Sequence, residues 1–205
     1  MSDSHRPEHS RRRFFSGALR ELAKSLLPAD EDEFRPETPP ALPRETPSAR
    51  FTLRPPGARP EVEFVDICDR SGECVAACPA DAIRVIDVGD GLIDGTPEII
   101  PSIQACVICE DLSCMKVCPS GALQLVAAAE IRIGLAEVDH EQCLRSRDED
   151  CRLCIEHCPI GLEAITIDGE GRIDVQPAAC TGCGVCEMYC PTDPRAITIK
   201  AFDDP

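Results

Sequence analysis

Aromatic side chains are scarce in this chain: no Trp, one Tyr and six Phe, 3% of 205 residues. A large core built on aromatic packing is excluded, and 19 prolines make long regular elements equally hard to build, so something else must organise the chain. No uninterrupted apolar run approaches the roughly 18 residues that a membrane span needs, and no secretory h-region is present, so a soluble chain without a span is expected. Positive charge is also short. Against 37 Asp and Glu there are 21 Lys and Arg, a formal charge of −16, which disfavours nucleic acid or an anionic membrane as partner and favours a basic protein face. The chain has no G-x-G-x-x-G, no P-loop, no G-x-S-x-G and no histidine–carboxylate cluster, so an independent enzyme activity is not expected.

Cysteine, by contrast, is abundant and confined. All 15 lie between Cys68 and Cys190, in four tight groups that each end in Cys-Pro. Disulfide frameworks scatter an even number of cysteines through loops, and zinc ribbons use two separated pairs; neither pattern is seen, and the grouping points to iron–sulfur clusters. Residues 1–60 hold no cysteine and have nine prolines between Pro28 and Pro60, which reads as a largely disordered tail and linker before a four-motif domain at 61–205. Within the tail, Phe15, Leu19, Leu22 and Leu26 repeat at helical period and predict a short amphipathic helix over about 12–27. Ser10-Arg11-Arg12-Arg13-Phe14-Phe15 resembles a twin-arginine export motif, but Arg20, Glu21 and Lys24 interrupt the apolar segment that should follow. A retained, cytoplasmic N-terminus is therefore expected, with periplasmic export by the twin-arginine route as the alternative.

The fourth group, Cys180-x2-Cys183-x2-Cys186-x3-Cys190-Pro191, matches the bacterial ferredoxin run without a gap. The second (Cys106, Cys109, Cys114, Cys118) and the third (Cys143, Cys151, Cys154, Cys158) keep four cysteines and lengthen one loop each, shaping a docking face or shielding a cluster. The first keeps Cys68, Cys74 and Cys78 but has Ser71 where the second cysteine belongs. A serine hydroxyl is a harder and far less acidic ligand than a thiol, so a three-iron cluster, or a four-iron cluster with one labile or oxygen-ligated iron, is expected there. After each Cys-Pro comes a short alternation, such as Ala164-Ile165-Thr166-Ile167, suited to a two-stranded ribbon, and the residues before each last cysteine suit one helical turn. Gly169-Glu170-Gly171 reads as a hairpin turn. His157 reads as a solvent-facing residue and Tyr189 as core filling or cover for a cluster.

These motifs resemble the four-cluster ferredoxin-type proteins, especially the MauM/NapG-type accessory proteins of periplasmic nitrate reductase and methylamine-oxidising systems. The resemblance implies an α+β fold of two ferredoxin-like iron–sulfur lobes made of short antiparallel ribbons and short helices. It implies three [4Fe-4S] clusters plus one [3Fe-4S] or labile [4Fe-4S] cluster, and electron transfer to a redox protein or oxidoreductase, such as a molybdoenzyme or a quinol-linked system. An accessory protein that assists cluster loading is the alternative. In such proteins the motifs look nested, which implies one cluster on Cys68, Cys74 and Cys190 and its partner on Cys180, Cys183, Cys186 and Cys78. The other two would use Cys106, Cys109, Cys114 and Cys158, and Cys143, Cys151, Cys154 and Cys118. A tandem pairing of neighbouring motifs stays open.

Overall fold

The computed structural model describes residues 52–202, within the unit spanning 47–205; the amphipathic segment of about 12–27 and most of the Pro-rich stretch lie outside the described residues. The first elements are helix α1 (Glu61–Ile67), the one-turn helix α2 (Glu73–Ala76), strands β1 (Ile83–Val85) and β2 (Pro97–Ile99), and the one-turn helix α3 (Ser113–Lys116). They are followed by β3 (Leu135–Val138), α4 (Leu153–Glu156), β4 (Ile165–Ile167), β5 (Ile173–Val175), α5 (Val185–Met188) and β6 (Ile197–Lys200). The fold is thus small, mixed α and β, and built from ribbons of two strands. β1 pairs with β2, β4 with β5 and β3 with β6, all antiparallel.

The local rules explain these pieces. Each one-turn helix has the cysteine at a motif's third ligand position as its second residue (Cys74, Cys114, Cys154, Cys186), and each stops before a Cys-Pro, where proline would remove the next helical donor. The hairpin at Gly169–Gly171 forms in register Ile165↔Val175 and Ile167↔Ile173, with Asp168 accepting the amides of Glu170 and Arg172. Among the four predicted ribbons, the one after Cys118 is cut to a single bridge, Leu123↔Ala58, flanked by Arg59 N–H to Ala122 O and Gln124 N–H to Gly57 O. Its partner segment is bounded by Pro56 and Pro60, which have no N–H to extend a ladder.

That bridge corrects the expected boundary at residue 60. Leu53, Arg54, Pro55 and Pro56 are buried, so the end of the supposed linker is part of the packed body. Gly57 sits at φ +75°, and a Cβ there would stand 2.1 Å from the Gln124 carbonyl oxygen, so the close approach requires glycine. Arg54 lies over the Phe64 ring at 4.7 Å, pairs with Glu61, and donates to Thr96 Oγ1 and the Pro97 carbonyl. Replacing it by alanine strips buried acceptors of their donor, and Arg54→Ala is expected to cost about 2 to 4 kcal/mol. A thermal melt of the cluster-loaded protein checks this; an unchanged Tm would contradict it.

The core is aliphatic, as the lack of aromatics requires. Phe64 and Ile131 are fully buried, joined by Ile83, Ile99, Met115, Leu123, Ile165, Ile173, Ile197 and by cysteines of all four motifs. Tyr189 is not core: it is 42% exposed and stacks on His157, with ring centroids 3.7 Å apart and planes within 5°. No described helix is long and apolar enough to cross a membrane.

Candidate iron–sulfur sites

Four bays open among the described residues, each with about 350 to 370 Å³ of space that continues into solvent. Bay I is lined by Cys68, Ser71, Cys74 and Cys118, and bay II by Cys78, Cys106, Cys109 and Cys114. Bay III has Cys143, Cys151, Cys154 and Cys190; bay IV has Cys158, Cys180, Cys183 and Cys186. Every one of the fifteen cysteines lines one bay, and none forms a disulfide.

The grouping replaces the nested pairing with a tandem one. Each motif contributes its first cysteines to its own bay, and its Cys-Pro cysteine crosses to the neighbouring motif's bay: Cys78 to II, Cys118 to I, Cys158 to IV and Cys190 to III. The reason is short-range. The one-turn helices pack as α2 with α3 and α4 with α5, so the last cysteine of each turn meets the adjacent motif before any distant one.

Several observations test whether the bays suit clusters. Among the described residues no three His, Cys, Asp or Glu side chains converge as they would around a single ion, and the sulfurs stand instead around the walls of open bays. The buried Thr181 hydroxyl in bay IV faces the Cys183 thiol, so a hydroxyl donor stands where the bay's sulfurs gather. Backbone amides already point at ligand sulfurs: Ala82 N–H at Cys78 Sγ, 3.3 Å, and Leu123 N–H at Cys118 Sγ, 3.4 Å. The residues present fit iron–sulfur clusters, and those lining each bay would hold one.

Burial raises several of the thiols. It pushes Cys106 and Cys154 up to about 12, and Cys74 and Cys114 up to about 11, with neighbouring thiolates adding to the rise. Cys118 and Cys190 go the other way: burial opposes ionisation, but hydrogen bonds, from the Leu123 amide and Ser120 to Cys118 and from Thr192 to Cys190, outweigh it. An unfolded thiol titrates near 9, so between about 9 and 12 the folded apo-chain holds more protons than the unfolded one. The stabilisation from these thiols is full below about 9 and is lost as pH climbs toward 12. The Tm of apo-protein is expected to fall over that window while cluster-loaded protein, whose thiolates are already bound, lacks that fall; a flat apo profile would contradict the thiol assignment.

The bays adjoin one another pairwise. Cys74 of bay I is among the charges that raise Cys114 of bay II, after burial and the nearer Cys109 and Cys78. Cys154 of bay III likewise acts on Cys186 of bay IV. Bays II and IV meet where the Cys106 amide donates to the Cys183 carbonyl at 3.0 Å. These contacts join I to II, II to IV and IV to III. Ser71, at bay I, is exposed, and its amide donates to Asp69 Oδ1 at 3.1 Å. At bay III the longer loop is folded: Leu144–Arg147 forms a 3-10 turn, and Asp150 pairs with Arg145 at 2.8 Å and Arg152 at 3.0 Å. Spacing alone could locate all fifteen cysteines but not Thr181, whose only sequence signal is its place directly after Cys180.

Comparison with known proteins agrees with the motifs. A "4Fe-4S dicluster domain" model matches residues 67–122, the span of the first two motifs, and a "4Fe-4S binding domain" model matches residues 173–195. The chain is 37% identical over 215 residues to the ferredoxin-type protein NapG of Escherichia coli strain K12, covering 97% of this chain and 89% of that protein. It is 39% identical over 158 residues to the methylamine utilization ferredoxin-type protein MauM of Methylorubrum extorquens, covering 72% and 71%. Ferredoxin-type protein NapF of E. coli is more distant, at 26% over 152 residues. The chain therefore belongs to the NapG and MauM family of ferredoxin-type 4Fe-4S proteins.

Proposed function

We propose that this chain passes single electrons between a donor and an oxidoreductase partner through three [4Fe-4S] clusters and one [3Fe-4S] or labile [4Fe-4S] cluster at Ser71. A bound cluster supplies a one-electron couple that needs no substrate site. The set of four cysteine-lined bays supports this reading most directly. The protein's residues hold the sites at fixed separation, aim amides at the sulfurs and, through buried aliphatic neighbours, limit water around them. On this reading bays I and II make one ferredoxin-like lobe and bays III and IV the other. Loading fifteen thiolates makes the chain more negative than −16, which steers it toward a basic face on a partner such as a molybdoenzyme or a quinol-linked system.

A second reading, an accessory protein that loads an oxidoreductase's clusters, draws on the exposed Ser71 beside three thiolates, where an iron would be held least firmly. Repeated anaerobic reduction and reoxidation separates the two. A carrier keeps its iron over many cycles; a loading protein loses iron to an apo-partner and loses its binding when residues 10–27 are deleted. We place the chain in the cytoplasm, and fusing residues 1–60 to a reporter that works only after twin-arginine export tests this, with reporter activity contradicting it.

A further inference from the structure

The contact between bays II and IV is unlike an ordinary loop crossing. Beside the Cys106 to Cys183 hydrogen bond, fully buried Ala105 forms a small apolar cluster with Cys183 and Val185, against which Cys106, Ile108 and Met188 pack. Gly184, at φ +87°, sits so close to Pro101 that a Cβ would stand 2.5 Å from the proline Cβ. A residue of one bay is therefore joined through backbone, without a side chain between, to a residue of the other, along an apolar seam whose backbones approach closely at Gly184 and Pro101.

We propose that electrons cross between the first two bays and the last two at the Cys106–Cys183 contact, so that the route runs I, II, IV, III, with Ser71 at one terminus and the 144–150 loop at the other. This rests on the carrier reading above. In the crossing step one electron leaves the site held by Cys78, Cys106, Cys109 and Cys114 and arrives at the site held by Cys158, Cys180, Cys183 and Cys186. The first is oxidised as the second is reduced, and no bond, proton or leaving group is involved. One-electron redox proteins serve the two termini. The termini differ: Asp69, Ser71 and Glu73 are exposed around bay I, whereas bay III is bordered by the Arg145–Asp150–Arg152 network. Donor and acceptor meet chemically distinct faces.

The test is electron paramagnetic resonance of full-length, cluster-loaded protein reduced with titanium(III) citrate, wild type beside the double variant Cys151→Ala/Cys154→Ala, which leaves bay III two thiols and so empties it, and Cys74→Ser, which leaves bay I two thiols. With bay III lost, the bay IV site keeps a magnetic neighbour across the seam, so no narrow, readily saturated signal of an isolated reduced cluster is expected. With bay I lost, the bay II site keeps bay IV as neighbour, and again no isolated signal is expected. One spin per chain of isolated signal in either variant overturns the crossing. The variants disable opposite termini, so failure of one to fold leaves the other to decide. Failure of the carrier reading is distinct: clusters would be present and coupled yet lose iron on redox cycling.

Discussion

Ser71→Cys is expected to replace the signal of an oxidised three-iron cluster with a four-iron cluster that becomes paramagnetic only on reduction. The physical basis is the ligand count of bay I. Cys68, Cys74 and Cys118 line it with Ser71, so one substitution completes a four-thiolate set in which the backbone already occupies the second-cysteine position. Ser71 is exposed at the bay's edge, so the corner has room for the larger sulfur. A thiolate is a softer ligand with far lower pKa than a hydroxyl and holds the fourth iron that serine holds weakly or not at all. Paramagnetic resonance of the oxidised and reduced proteins, wild type beside variant, reads the conversion. No three-iron signal in either protein, with about 12 irons per chain in both, would mean that bay I is empty.

Cys118→Ala and Cys190→Ala are expected to damage different bays, and to unequal depth. Cys118 is one of only three thiols in bay I, so its loss leaves two and should empty the site, removing about three irons. Cys190 is one of four in bay III, so its loss leaves three and should yield a new three-iron signal while bay I is untouched. The nested arrangement makes the opposite forecast, with Cys190→Ala emptying the Ser71 site and Cys118→Ala leaving Cys143, Cys151 and Cys154 as a three-thiolate site. Iron content and the oxidised spectrum of the two variants, side by side, decide between them.

Motif spacing made the ligands legible, because thiolates at x2 and x3 intervals have few other uses, and it made the one-turn helices and the Gly169–Gly171 hairpin legible through periodicity and turn chemistry. The partner of each Cys-Pro cysteine was not legible, since it depends on which one-turn helices pack together, and that is a tertiary choice. Thr52 to Pro60 failed for a different reason. Proline-rich composition reads as linker, yet Pro55 is fully buried and Arg54 anchors the segment through contacts to Glu61, Thr96 and Pro97, none of which has a sequence signature. Tyr189 misled because a lone tyrosine among aliphatics reads as core; it instead lies flat on His157 at the surface beside the cysteines of bays III and IV.

The set of bays also explains why the chain manages without aromatic bulk. Cysteines Cys68, Cys114, Cys143, Cys180 and Cys186 are counted within the buried aliphatic core itself, so the sites and the core are one body. Loading and folding should therefore be coupled, as in other small metal-organised domains.

The most direct measurement is anaerobic iron and acid-labile sulfide per chain on the wild-type protein. Four occupied bays with a three-iron site at Ser71 predict about 15 irons and about 16 sulfides, with negligible zinc. About 12 of each would mean that bay I is empty and the route stops at bay II, and zinc without sulfide would contradict the iron–sulfur account altogether.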